Sequence, residues 1–127
     1  MKLFNHVQIK VQNLVESRLF YDVLMQEVLG YCIVLEIKNM VVGYGTDVHD
    51  MFEIRQATED APISKSVHLA FNASSLESVE RFYKQALASG AKCNGEPGFR
   101  PQYEKGYYAA FVIDPNGHNL EVVFNKK

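Results

Sequence analysis

The chain has no tryptophan, two cysteines and four prolines in 127 residues, and no apolar run long enough to span a bilayer. Cys32 and Cys93 form neither a CxxC pair nor any closer cluster, which excludes a cysteine-built zinc site and a disulfide-dense scaffold. A surplus of positive charge is also missing. Thirteen Lys and Arg stand against fifteen Asp and Glu, a formal net charge of -2, so nothing advertises nucleic acid or an anionic membrane. The stretch from Met1 to His6 carries no apolar segment of the secretory type. A cytoplasmic protein with reduced thiols is expected, the cysteines acting as small apolar fillers. The Lys126-Lys127 pair reads as a solvated tail.

What the chain does have is a repeat. His6 is followed fourteen positions later by Phe20-Tyr21, and His68 fourteen positions later by Phe82-Tyr83. Both pairs are 62 residues apart, as are Leu14 and Leu76, and Gly30 and Gly90 close the two stretches. A single domain over 1–127 is expected, with a first repeat over about 1–56, a polar linker over 57–65 and a second repeat over 66–125.

Each repeat opens as a strand. Val7, Ile9 and Val11 alternate with His6, Gln8 and Lys10, the period of a strand with one buried face. In the second repeat Val67, Leu69 and Phe71 are the apolar set, with His68 opposite. Asn13 with Glu16, and Ser74 with Glu77, predict capping boxes for the helices that follow. Phe20, Val23, Leu24 and Leu29 form the first apolar stripe. Leu76, Val79, Phe82, Tyr83, Ala86 and Leu87 form the second. Glycine suits the left-handed position just past each helix end. Strand-like runs follow over 31–37, 40–44 and 51–56, then over 107–113 and 120–124, with a weaker one over 91–94. Asp114-Pro115-Asn116-Gly117 is a strong turn signal. The fold class is α+β: tandem βαβββ repeats forming a curved mixed sheet with the helices on its outer face.

Strand sidedness decides which polar residues share a face. Leu120, Val122 and Phe124 belong with the helix, so Glu121 faces the other way. Phe52 and Ile54 do the same for Glu53, which shares its face with Arg55. Each repeat therefore offers one histidine on its first strand and one glutamate on its last. Imidazoles and carboxylates in that number suit Fe²⁺, Mn²⁺, Ni²⁺, Co²⁺ or Zn²⁺. A carboxylate on a partly dry sheet face is costly unless something pairs with it, and a cation does so.

His6, His68 and Glu121, the last following an Asp-Pro-x-Gly turn, resemble the ligand set of the vicinal oxygen chelate superfamily. That group holds glyoxalases, bleomycin resistance proteins and extradiol dioxygenases. The resemblance covers essentially the whole chain. Its most specific stretch, 95–118, is similar to a bacterial glyoxalase-like subgroup. Glyoxalase I carries a fourth ligand where Glu53 stands; the subgroup often has an aromatic residue there. The resemblance implies a divalent metal held by His6, His68, Glu121 and Glu53, chelating two neighbouring substrate oxygens. Glu121 or Glu53 would then move a proton. It also implies a homodimer and a small-molecule substrate, oxygenated or thiol-conjugated, in a lactoylglutathione lyase-like reaction. The alternatives are a bleomycin-binding protein, a fosfomycin thiol transferase and an Fe(II) dioxygenase.

Arg100, Tyr103, Tyr107 and Tyr108 cluster before a strand and offer a substrate wall, since guanidinium forks onto carboxylates and phenols bond oxyanions. Arg55 offers a further contact from the ligand face. It is also near enough to Glu53 for a plain ion pair. His49 and His118, in turn-like contexts, read as surface residues.

Overall fold

Two βαβββ units follow one another along the chain in a computed structural model that describes residues 2–125. Met1 and the Lys126-Lys127 pair lie outside the described residues. The units divide as Met1–Ser64 and Lys65–Lys127.

The first unit runs β1 (His6–Val11), α1 (Leu14–Asp22), a π-helical turn (Val23–Val28), β2 (Cys32–Ile37), β3 (Val41–Asp47) and β4 (Asp50–Gln56). Its four strands make one mixed sheet in the order β1-β4-β3-β2, with β1 parallel to β4. The second unit runs β5 (His68–Asn72), α2 (Leu76–Ala88), β6 (Lys92–Phe99), β7 (Tyr107–Ile113) and β8 (Asn119–Asn125). The same order recurs there as β5-β8-β7-β6, with β5 parallel to β8. The predicted α+β class and tandem architecture are both present.

One face of each sheet is covered by its own helix, as the alternation requires. Ile9, Val11 and Ile54 are fully buried on that face of the first unit. There Tyr21 of α1 packs on Phe52 of β4 at 5.5 Å between ring centroids. The Tyr44 hydroxyl on β3 donates to Asp22 Oδ1 at 2.5 Å, tying the end of α1 to the sheet. In the second unit Phe71 meets Phe82 of α2 at 6.3 Å, and Leu120 and Val122 are fully buried. Burying a side chain such as Phe82 is worth about 1.5–3 kcal/mol.

Several local expectations are corrected. The first helix does not run on as a regular α-helix. It widens after Asp22, with the Leu29 amide bonding Leu24 O at 3.0 Å, five residues back. The wider turn buries Leu24, Met25 and Val28, leaving Val23 and Leu29 half-covered. Gly30 then takes φ of +81°, the left-handed conformation that its place demanded. Asn13 caps α1 by accepting from the Glu16 amide at 3.0 Å. The cap of α2 is Ser75, not Ser74: it accepts from the Ser78 amide at 3.0 Å because the helix starts one residue later. Leu87, assigned to the core, is 36% exposed near the end of α2.

His118 is not a surface residue. It is 1% exposed, and its ring Nδ1 lies 3.0 Å from Asp114 Oδ2. Asp114 is itself buried, and its Oδ1 accepts from the amides of Asn116 and His118 at 2.9 and 2.8 Å. A buried carboxylate must collect donors, and the turn brings all three. His49 is exposed, as expected. Cys32 and Cys93 are free and exposed on the outermost strands β2 and β6, so neither fills the core. Among the described residues no helix is long and apolar enough to cross a membrane.

Candidate functional site

The face of the second sheet turned away from α2 carries the densest chemistry of its unit. Glu121 on β8 is level with Ala70 on β5 and Phe111 on β7. Although 4% exposed, it is fully partnered. His68 Nε2 lies 2.9 Å from Glu121 Oε1, and the Tyr107 hydroxyl donates to Oε2. The His68 side chain itself is 52% exposed, so one edge of the pair is open to solvent. Desolvation first, and the bond to Glu121 second, push the Tyr107 phenol up to about 12. It therefore stays a proton donor across the neutral range.

The first sheet places a related but different set. Glu53 on β4 is 5% exposed and accepts from Gln8 Nε2 on β1 at 2.7 Å. Lys10 Nζ donates to the other end of that amide, Gln8 Oε1, also at 2.7 Å. The expected Glu53–Arg55 ion pair does not form; the neutral amide takes the carboxylate instead. Arg55 lies level with Lys10 and makes no hydrogen bond or ion pair among the described residues. His6 projects from the start of β1, exposed, with Nδ1 2.8 Å from Asn5 Oδ1. The Asn5 amide nitrogen is 3.1 Å from His49 Nδ1. With the amide nitrogen donating to His49, the amide oxygen accepts from His6 Nδ1.

Not every residue of the expected substrate wall shares this face. Tyr107 and Tyr108 are neighbours on β7 and so point oppositely. Tyr108 turns to the helix side, where its hydroxyl donates to Glu80 Oε2 at 2.9 Å, and it is corrected from a wall residue to a helix contact. Arg100 spends its fork on the backbone: Nη1 donates to Gly98 O at 2.8 Å and Nη2 to Glu96 O at 2.7 Å. Its guanidinium also stands 5.5 Å from the Phe111 ring centroid. These contacts brace the irregular part of β6, where the register with β7 shifts twice. Tyr103 is 59% exposed and meets the Tyr107 ring edge-on at 5.4 Å. Tyr107, expected in the wall, is the partner of Glu121. Gln8 and Asn5 are partners that no sequence motif announces, although alternation puts Gln8 on the correct face.

These donors suit a divalent ion. Two ligand atoms about 2.1 Å from one ion and at right angles to each other are about 3 Å apart. The 2.9 Å between His68 Nε2 and Glu121 Oε1 matches that spacing. An imidazole whose Nδ1 is already bonded, as at His6, is the usual arrangement of a metal-ligating histidine. Among the described residues no group of three or more His, Cys, Asp or Glu side chains stands close enough together to hold a metal ion.

Comparison with known proteins identifies the family and the fold. The model of the Glyoxalase/Bleomycin resistance protein/Dioxygenase superfamily matches residues 3–122. No curated protein matches the chain. Among solved structures, a glyoxalase/bleomycin resistance protein from Albidiferax ferrireducens is similar at 27% identity and a TM-score of 0.79, covering 96% of this chain and 98% of its own. A glyoxalase-related enzyme from Fulvimarina pelagi shares the fold at 20% identity and a TM-score of 0.72, covering 98% and 89%. So does a lactoylglutathione lyase from Agrobacterium tumefaciens, at 18% identity and a TM-score of 0.65, covering 97% and 93%.

Proposed function

The chain belongs to the Glyoxalase/Bleomycin resistance protein/Dioxygenase superfamily, and from that premise we propose that it is a divalent-metal-dependent lyase or isomerase of the glyoxalase I type. The proposed ligands are His6, His68 and Glu121. The observation that carries this reading is the His68–Glu121 pair, an imidazole and a carboxylate at 2.9 Å on a face that no helix of its unit covers.

Bound there, a divalent ion would act as a Lewis acid toward two neighbouring oxygens of a small substrate. The protein's own part is proton transfer and orientation. Of the two glutamates, Glu53 keeps an oxygen free for proton transfer. Its Oε1 holds the Gln8 amide, and Oε2 accepts no hydrogen bond among the described residues. Glu121 has both oxygens engaged and is suited to holding rather than moving. Arg55, without an acidic partner, is available to an anionic group of the substrate.

The test is elemental analysis of protein purified without chelator, followed by an assay with the methylglyoxal–glutathione hemithioacetal. Retained Ni²⁺, Zn²⁺, Mn²⁺, Co²⁺ or Fe²⁺, with turnover abolished by EDTA and restored by metal, is expected. A protein that binds none of these ions ends the proposal. Tight bleomycin binding indifferent to EDTA would point instead to a sequestering protein. Sedimentation of the same sample tests the proposed homodimer.

A further inference from the structure

Glu121 is the one proposed ligand whose two oxygens are already divided between two partners on neighbouring strands. His68 on β5 takes Oε1, and the Tyr107 hydroxyl on β7 takes Oε2. The division is built into the sheet. Residue 121 pairs with Ala70 on one side and Phe111 on the other, so no long polar side chain stands level with it. The donors come instead from one alternation step along β5 and two along β7. Tyr103, edge-on to the Tyr107 ring, closes the outer side of the phenol.

We infer that Tyr107 is a positioning residue for Glu121, occupying Oε2 so that Oε1, beside His68, is the single carboxylate oxygen presented to a divalent ion. This rests on the metal-centre reading above. A carboxylate free to rotate offers an ion one oxygen or both; a phenol bonded to one of them removes that choice. Outer groups of this kind orient a ligand without touching the metal, and their loss typically costs 10–100-fold in metal affinity.

The experiment compares Co²⁺ binding to the wild-type protein, Tyr107→Phe and Tyr108→Phe by calorimetry, with thermal unfolding of the metal-free proteins alongside. Expected is a Co²⁺ affinity about 10–100-fold weaker in Tyr107→Phe and unchanged within twofold in Tyr108→Phe, whose ring lies on the helix side of the sheet. An infrared difference spectrum of the wild type, metal-loaded minus metal-free, supplies a readout that needs no folded Tyr107 variant. The metal-induced carboxylate bands should show the wide splitting of a carboxylate bound through one oxygen. Equal affinity in wild type and Tyr107→Phe, or the narrow splitting of a two-oxygen ligand, overturns this inference and leaves the metal centre standing. A wild type that binds no Co²⁺ overturns both.

Discussion

Gln8 hands an amide proton to Glu53 at 2.7 Å, whereas Ala70, at the same register position of the second sheet, has none to give Glu121. The register is the same in the two units here, and the donor level with the glutamate is not. Glu53 is thereby satisfied from the adjacent strand, and Glu121 turns to His68 and Tyr107. Two similar glutamates thus have different partners.

Glu53→Gln and Glu121→Gln should separate those roles. Glu53→Gln is expected to keep its metal and lose about 10²–10⁴ in turnover, the usual worth of a positioned acid or base. Glu121→Gln should lose the metal itself. Metal content and turnover, measured on the same samples, check both.

Replacing Asn5 by alanine removes the acceptor that holds the His6 Nδ1 proton. Metal affinity is expected to fall about 10-fold or more with little change in unfolding temperature, because the loss is one of orientation at an exposed site. Competition against a chromogenic chelator measures it.

The buried His118–Asp114 pair predicts a large stability effect. His118→Ala leaves a buried carboxylate with fewer donors and is expected to cost about 3–5 kcal/mol. Urea unfolding should show a lower midpoint at an unchanged slope.

Gly45 has no room for a side chain. A Cβ there would stand 2.0 Å from Asp50 O and 2.8 Å from Met51 Cα, both backbone atoms that cannot swing aside. Gly45→Ala should destabilise by about 3 kcal/mol or more, the upper range for overpacking. A soluble variant within 0.5 kcal/mol of wild type, roughly the scatter of surface changes, would contradict the geometry.

Tyr44 predicts alkaline behaviour. Burial first, and the bond to Asp22 second, raise its phenol well above the ordinary value of 10.0. Below about pH 10 both folded and unfolded chains keep the proton, and stability is unaffected. Above it the unfolded chain releases a proton that the folded chain retains, so stability falls as pH rises. Tyr44→Phe should remove that part of the slope, readable as a flatter decline of the urea midpoint above pH 10.

Much of the scaffold was legible because period and offset are local properties. Alternation through Val7, Ile9 and Val11 is enough to define a strand and its buried face, and the matching Phe20 and Phe82 reveal the second copy. Glu121 between Leu120 and Val122 must point away from the helix. Where the reading slipped, the cause was competition among neighbours. Ser74 and Ser75 are equivalent as caps until the first turn chooses one. Val23, Leu24 and Met25 fit a regular helix by spacing, yet the chain widens there into a π-helical turn.

Partners across strands lay beyond the sequence for a different reason. Nothing local says that Tyr107 rather than Tyr108 reaches Glu121, that Gln8 rather than Arg55 satisfies Glu53, or that His118 turns inward onto Asp114. Each of those outcomes depends on register, which is set by the packing of a whole sheet against its helix, and a slip of one residue exchanges every face. The sequence by itself therefore determined the repeat, the strand faces and the residue types available for chemistry. Only the tertiary structure decided which of them touch, because hydrogen bonds between strands are made by geometry at the scale of a few ångströms and not by order along the chain.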